Sequence, residues 1–163
     1  MSETARVAIL MGSQSDWSVM KRAADVLGEL GIACHSKIIS AHRKPGRLAD
    51  FIDEAHGAGV EVFIAGAGMA AHLPGVVASQ TNRPVLGVPI ESGSLKGMDA
   101  LLSIIQMPPG VPVGSLGLGA AGAKNAGLLA AQILALADPE LAERLAKWRA
   151  DAAADLPEDP EDE

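Results

Sequence analysis

The stretch of this sequence best equipped for chemistry is Ser40-Ala41-His42-Arg43. It follows the apolar pair Ile38-Ile39 and precedes Lys44-Pro45-Gly46, so it sits where a strand ends and a helix begins. A histidine gains and loses a proton near neutral pH, and an arginine beside it is a permanent cation. At a strand end, that pair suits chemistry on a small anion. Taken alone, the same four residues also read as a Ser40 helix cap, a loop histidine and a solvated arginine.

Two further loops occupy equivalent places. Gly12-Ser13-Gln14-Ser15-Asp16 follows the apolar run Arg6–Met11, and Gly66–Gly75 follows Val60–Ala65. In an open parallel sheet, ligands bind beyond the carboxyl ends of the strands at the switch point, so the three loops are expected to converge on one crevice. Gly12 lets the backbone approach a ligand, and Ser13 and Ser15 offer hydroxyls beside the amides of a helix N-terminus, an anion site. Asp16 is placed to accept hydrogen bonds from ribose hydroxyls. The spacing Ser13-x-x-Asp16 equally fits a capping box, worth about 1 kcal/mol of helix stability and no function.

Of the four histidines, His35 lies within a strand and His56 near a helix end, which suits structural or solvated roles. His42 and His72 lie in loops at strand ends. Two histidines far apart in sequence, with no third ligand clearly beside them, suit proton transfer better than metal binding. Two glycine patterns imitate a dinucleotide site. Gly117-Leu118-Gly119-Ala120-Ala121-Gly122 matches the fingerprint letter for letter, but no strand with an acidic end follows it. Gly66-x-Gly68-x-x-Ala71 follows a strand and has Glu91 about twenty residues on. There Pro74 interrupts the helix start, and the pattern is not in the first βα unit.

The elements that must position these loops are legible as alternating apolar runs and helical stripes. Arg6–Met11 is unalternating, as expected of a strand buried on both faces. Trp17, Met20, Ala24 and Leu27 then recur at helical spacing and stop before Gly31. A second strand is expected at about Ala33–Ile39. Leu48, Phe51, Ile52 and Ala55 form the stripe of the next helix, which Pro45 opens and Gly57 ends. Val60–Ala65, Val85–Val88 and Val113–Leu118 are the remaining strand candidates. Between them lie a short helix from Pro74 to about Gln80 and a stripe of Met98, Leu101, Leu102 and Ile105. Ala126–Ala137 has Gln132 as its one polar side chain, and so apolar a helix points to a subunit interface, or else to a helix sunk in its own core. Asp138-Pro139 caps a final helix carrying Leu141, Leu145 and Trp148. Strands alternating with helices at this pitch give an α/β fold, a central parallel sheet covered by helices on both faces.

Composition narrows the class. At 163 residues and 48% apolar, the chain is long enough for one domain with a real core. Its net charge of −7 is local: the tail Ala150–Glu163 carries seven acids and no base, leaving thirteen charges of each sign in the body. A nearly neutral body argues against a nucleic-acid partner. Residues 1–150 therefore read as a single domain, and 151–163 as an acidic tail expected to be disordered. The single Cys34 excludes an internal disulfide framework, and no cysteine cluster suggests a metal. No signal peptide opens at Met1–Arg6, and no charge-free apolar run reaches spanning length, which makes a cytoplasmic location the expectation and a membrane partner unexpected.

Taken together, the motifs resemble one family. Met11-Gly12-Ser13-Gln14-Ser15-Asp16, Ser40-Ala41-His42-Arg43, Ala65-Gly66-Ala67-Gly68 with Ala70-Ala71-His72-Leu73-Pro74-Gly75, and Pro84-Val85-Leu86-Gly87-Val88-Pro89 stand in the order of the bacterial 5-(carboxyamino)imidazole ribonucleotide mutases of purine biosynthesis. Ser103-Ile104-Ile105-Gln106-Met107-Pro108 and Gly110-Val111-Pro112-Val113-Gly114 match as well, so the resemblance covers about Val7 to Trp148. It implies a three-layer flavodoxin-like fold, a homo-octamer, a ribonucleotide substrate and no metal or organic cofactor. The implied reaction moves a carboxylate from the exocyclic nitrogen of the aminoimidazole to its neighbouring ring carbon, with CO2 as an enzyme-bound intermediate. It also implies that His42 is the acid and base, and that Ser13, Ser15, Asp16 and Arg43 hold ribose and phosphate. Ser40, Gly68, Leu73 and a site-adjacent His72 would line the site. The animal-type relatives, which carboxylate aminoimidazole ribonucleotide directly, usually have lysine after the histidine; Arg43 and His72 favour the mutase. A non-catalytic nucleotide- or flavin-binding module would not need His42. One departure stands out: Met69 occupies the place of a usual glycine, and if that position takes a positive φ, methionine carries strain there. Lys44, in place of a commoner threonine, matters less.

Overall fold

The computed structural model describes residues 4–154 and Pro157. Five parallel strands form one sheet: β1 (Val7–Met11), β2 (Cys34–Ile38), β3 (Val62–Gly68), β4 (Val85–Ile90) and β5 (Gly114–Ser115), in the spatial order β2-β1-β3-β4-β5. That order is the flavodoxin-like one, with its switch point between β1 and β3. The intervening helices are α1 (Trp17–Glu29), α2 (Pro45–Gly57), α3 (Leu73–Ala78), α4 (Met98–Ile105), α5 (Gly119–Ala135) and α6 (Pro139–Ala154).

The three layers follow from the strand period of two. Val7, Ile9 and Met11 of β1 enter one core with α1, α5 and α6, while Ala8 and Leu10 enter the other with α2 and α3. All five β1 side chains are buried, which is why the strand shows no alternation. The edge strand β2 differs, since its residues His35 to Ile38 are exposed.

Three expectations change on folding. The helix expected to mark a subunit interface is absorbed into the chain's own core: Ala123, Ala126, Gly127, Ala130, Ala131 and Leu134 of α5 are buried. The reason is close contact with α1, where a Cβ on Gly127 would meet the Val26 side chain and lie 2.9 Å from the Ala23 carbonyl oxygen. The stripe Met98, Leu102 and Ile105 of α4 faces outward, and Ala100 and Ile104 are the buried residues instead. α4 lies so close to the sheet at Gly87, where a Cβ would be 2.5 Å from Ile104 Cγ2, that its inner face can be built only from selected side chains. The fifth strand is two residues long rather than six, and past it Leu116 N–H donates to the Gly87 carbonyl.

The final helix begins as its capping pair requires. Asp138 Oδ1 accepts from Leu141 N–H at 3.0 Å, and its Oδ2 accepts from Arg6 Nη1 at 2.7 Å. Arg6 Nε also donates to Glu61 at 2.6 Å, so one arginine before β1 ties the start of the chain to α6. The helix continues through Ala154, and the rest of the expected acidic tail, Pro157 aside, lies outside the described residues. Among the described residues, no helix is long and apolar enough to cross a membrane.

Candidate active site

The loops after β1, β2 and β3 meet beyond the carboxyl ends of these strands, around a cavity of about 300 Å3. Parallel register makes this convergence unavoidable: Met11 lies level with Ile38 on one side and with Gly66 on the other, so all three strands stop near one plane. Ser13, Ser15, Asp16, Ser40, His42, Gly68, His72 and Leu73 all line the cavity. Arg43 stands just outside this lining, and its Nη2 donates to the Gly12 carbonyl at 3.1 Å, bracing the second loop against the first.

The first loop is both a cap and a cavity wall. Ser13 Oγ accepts from Ser15 N–H at 3.3 Å and Asp16 Oδ2 accepts from Ser13 N–H at 3.0 Å, completing the capping box on the short helical turn Gln14–Asp16. α1 follows at once, with the Trp17 N–H donating back to the Gln14 carbonyl, so the turn runs directly into the helix. Burial pushes the Asp16 carboxyl above its ordinary pKa, with the Ser13 and Gly12 backbone opposing.

The two loop histidines meet. His42 Nε2 lies 2.8 Å from His72 Nδ1, with the rings perpendicular and their centroids 4.9 Å apart. Such a contact needs one N–H and one lone pair, so the tautomers of the two rings are coupled: whichever nitrogen donates, the other must accept. Ser40 supports the second loop from below: its Oγ accepts from Arg43 N–H at 3.3 Å and its carbonyl from Lys44 N–H at 2.9 Å.

Gly68 and Met69 shape the far wall. A Cβ on Gly68 would lie 2.9 Å from Ser92 Cβ and 3.2 Å from the Ile90 carbonyl oxygen, so only glycine lets the end of β4 close against β3. Met69 takes φ +55°, the left-handed region, which costs a non-glycine residue about 1–2 kcal/mol. The strain anticipated at this position is therefore present. Ser92 also lines the cavity and was not among the residues singled out in the sequence. Its signal was available, because it follows the fourth parallel strand as the other loops follow theirs. A larger cleft of about 700 Å3 lies at the opposite, amino ends of the strands, where His56 Nε2 and Thr81 Oγ1 are 2.8 Å apart. It gathers none of the strand-end loops.

The fold and site define a flavodoxin-like α/β protein that presents a histidine pair, serine hydroxyls and an aspartate around a cavity at the switch point of its sheet. The AIR carboxylase family profile matches residues 6–155, and the chain belongs to this family. It is 55% identical over 157 residues to the N5-carboxyaminoimidazole ribonucleotide mutase of Brucella melitensis, covering 96% of this chain and 97% of that one. It is 53% identical to the Escherichia coli enzyme of the same name, over 96% of this chain and 93% of that one. Among solved structures, Treponema denticola PurE superposes with a TM-score of 0.83 at 30% identity, covering 91% of each chain.

Proposed function

We propose that this chain is an N5-carboxyaminoimidazole ribonucleotide mutase of purine biosynthesis, with His42 as its acid and base. The observation that carries the reading is the His42–His72 contact, set in a cavity with Ser13, Asp16 and Ser40, in a chain 53–55% identical to mutases. In the first half-reaction, protonated His42 gives its proton to the exocyclic nitrogen. The bond from that nitrogen to the carboxylate carbon breaks, and its electron pair stays on nitrogen as CO2 leaves. In the second, the ring carbon attacks the same CO2, forming the carbon–carbon bond, and His42 takes the proton from that carbon. One proton leaves His42 and one returns, so the net change is an isomerisation that consumes nothing.

The neighbouring groups then have defined tasks. Asp16 accepts from the ribose hydroxyls. The Ser13 and Ser15 hydroxyls and the nearby Arg43 guanidinium hold the phosphate. His72 orients the His42 ring before substrate enters, which is a positioning role. Leu73, 3% exposed, supplies an apolar wall. Holding CO2 beside its acceptor depends on placement more than on a strong nucleophile. A phosphorylated nucleotide substrate places this work in the cytoplasm.

The assembly we propose is a homo-octamer. Its support is an apolar ridge left open by the single chain: Leu95, Met98, Leu102, Ile105 and Leu118 are each more than two-fifths exposed. α4 places Met98, Leu102 and Ile105 on one stripe, a pattern that buries well against another subunit.

The test is an ultraviolet assay of N5-carboxyaminoimidazole ribonucleotide supplied without added bicarbonate. The expected result is direct conversion to the carbon-carboxylated isomer. The family description, AIR carboxylase, favours one second reading: carboxylation of aminoimidazole ribonucleotide itself. Conversion seen only with aminoimidazole ribonucleotide and bicarbonate would establish that reading and overturn the mutase.

A further inference from the structure

Ser92 lines the histidine cavity from the loop after β4, just past the end of that strand at Ile90. Every other polar side chain in the lining is engaged by a hydrogen bond within the chain. Ser13, Ser15 and Asp16 bond within their own loop, Ser40 with Arg43, and His42 with His72. Among the described residues, the Ser92 hydroxyl has no such partner. Nor is it sealed away, since no buried side-chain oxygen among these residues goes unpaired; it is half-buried and open to the cavity. At Gly68 a Cβ would lie 2.9 Å from Ser92 Cβ and 3.7 Å from its Oγ, so the bare glycine is what leaves this side chain its place.

We propose that Ser92 holds the carboxylate that moves in the reaction, by a hydrogen bond donated from its hydroxyl. The proposal rests on the mutase reading above. In that reading, ribose and phosphate belong to the loop after β1 and to Arg43, which donates to Gly12 of the same loop. The sheet order β2-β1-β3-β4 puts Ser92 at the other end of the cavity. Neighbouring strands lie about 4.8 Å apart, so β4 stands roughly 10 Å from β1. His72 ties His42 to the loop after β3, the strand between them. A nucleotide lying along this line, with its phosphate at β1, carries its aminoimidazole past the histidines toward Ser92. Apart from those histidines, no cationic side chain is in the lining, so the carboxylate on the base meets uncharged donors there. A lysine or arginine paired with it would stabilise the bound substrate more than the neutral CO2 that forms next. A hydroxyl orients the group without that penalty, and it rotates to follow the carboxylate from nitrogen to carbon.

The experiment is calorimetric titration of the full chain with two nucleotides, the carbon-carboxylated isomer and aminoimidazole ribonucleotide, which lacks the carboxylate. Ser92→Ala keeps the Cβ that packs on Gly68, so its melting temperature should match the parent's. It should bind the carboxylated nucleotide on the order of tenfold more weakly, the scale of one lost hydrogen bond to a charged group. It should bind aminoimidazole ribonucleotide as the parent does, which a general disturbance of the cavity would not allow. Ser92→Cys keeps nearly the same shape with a weak donor, and should show the same selective loss. Parental affinity of Ser92→Ala for the carboxylated nucleotide overturns the assignment, and so does an equal loss for both nucleotides. Parental binding by Ser92→Cys also overturns it, since shape rather than the hydroxyl would then matter. These three results leave the mutase reading intact. A parent that leaves N5-carboxyaminoimidazole ribonucleotide unconverted in the ultraviolet assay instead overturns that reading, and the role of Ser92 with it.

Discussion

His42 and His72 are thirty positions apart and each is unremarkable in its own loop; the fold brings His42 Nε2 to 2.8 Å from His72 Nδ1. In the proposed mechanism both half-reactions use His42, so His42→Asn should fold, bind nucleotide and lose activity by about 10⁴-fold, the upper end for a placed acid or base. Asparagine keeps hydrogen-bonding capacity but exchanges no proton at neutral pH. His72→Asn should lose less and should displace the pH–rate profile, since it removes a partner of the base and leaves the base in place. His42→Asn activity within tenfold of the parent, in the same ultraviolet assay, would falsify the assignment. Asp16 makes a second prediction. Its carboxyl is held above the ordinary carboxylate range, chiefly by burial, and only the ionised form can accept from both ribose hydroxyls. Nucleotide affinity should therefore decline on acidification at a higher pH than an exposed aspartate would give. Calorimetric titration across pH checks this, and Asp16→Asn should bind more weakly and lack that inflection.

At the scale of elements, the contact between α1 and α5 decides whether the cavity has a rigid floor, because α1 begins at its wall. At Gly127 a Cβ would lie 2.9 Å from the Ala23 carbonyl oxygen of α1, so α5 has no room there for a side chain. In an exposed helix, glycine to alanine would stabilise by about 1 kcal/mol. Here the added methyl has no room, and overpacking of roughly 1–3 kcal/mol should reverse the sign. A denaturant midpoint for Gly127→Ala above the parent's would mean that the helices are not so tightly seated. Ala130→Glu should unfold the subunit, since Ala130 is 0% exposed within its own chain. At α6, the Leu141 amide and Arg6 hold the Asp138 carboxyl below its usual range. A lowered folded-state pKa contributes stability that is full above the unfolded value and is lost as pH falls through the folded one. Asp138→Asn preserves a capping acceptor but not the charge. It should melt earlier than the parent at neutral pH and converge with it in strong acid, a difference that thermal unfolding across pH would resolve.

For the whole molecule, the consequential feature is the surface that one chain cannot cover. Leu102 is 49% exposed at the centre of the α4 stripe. Leu102→Glu places a charge there without touching the core, so it should lower the mass seen by light scattering while the far-ultraviolet dichroism stays that of the parent. A parent that scatters as a monomer at micromolar concentration would remove the octamer. The larger cleft at the amino ends of the strands shows why cavity volume is a poor guide to chemistry: it is more than twice the size of the histidine cavity but lies where no strand-end loop can reach.

The sequence by itself determined the order of elements, the parallel sheet and the three strand-end loops, because a strand buried on both faces leaves an unbroken apolar run and a helix leaves a stripe. It also marked Ser13, Asp16, His42 and His72 by their types at strand ends, although caps and loop roles fitted some of them as well. Ser40 and Gly68 entered as site residues only through the family resemblance. Tertiary structure decided what depends on distance. It decided that α5 turns its small residues onto α1 and that α4 turns its larger ones to solvent, two helices whose compositions alone would sort the other way. It showed the Ser13–Asp16 pair as cap and cavity wall together, two roles that local spacing had left as alternatives. It set Arg43 against the Gly12 carbonyl and brought in Ser92 through the close approach at Gly68. The φ of Met69 belongs to this second group: a methionine can be read in a sequence, but its left-handed backbone at φ +55° is seen only in the fold.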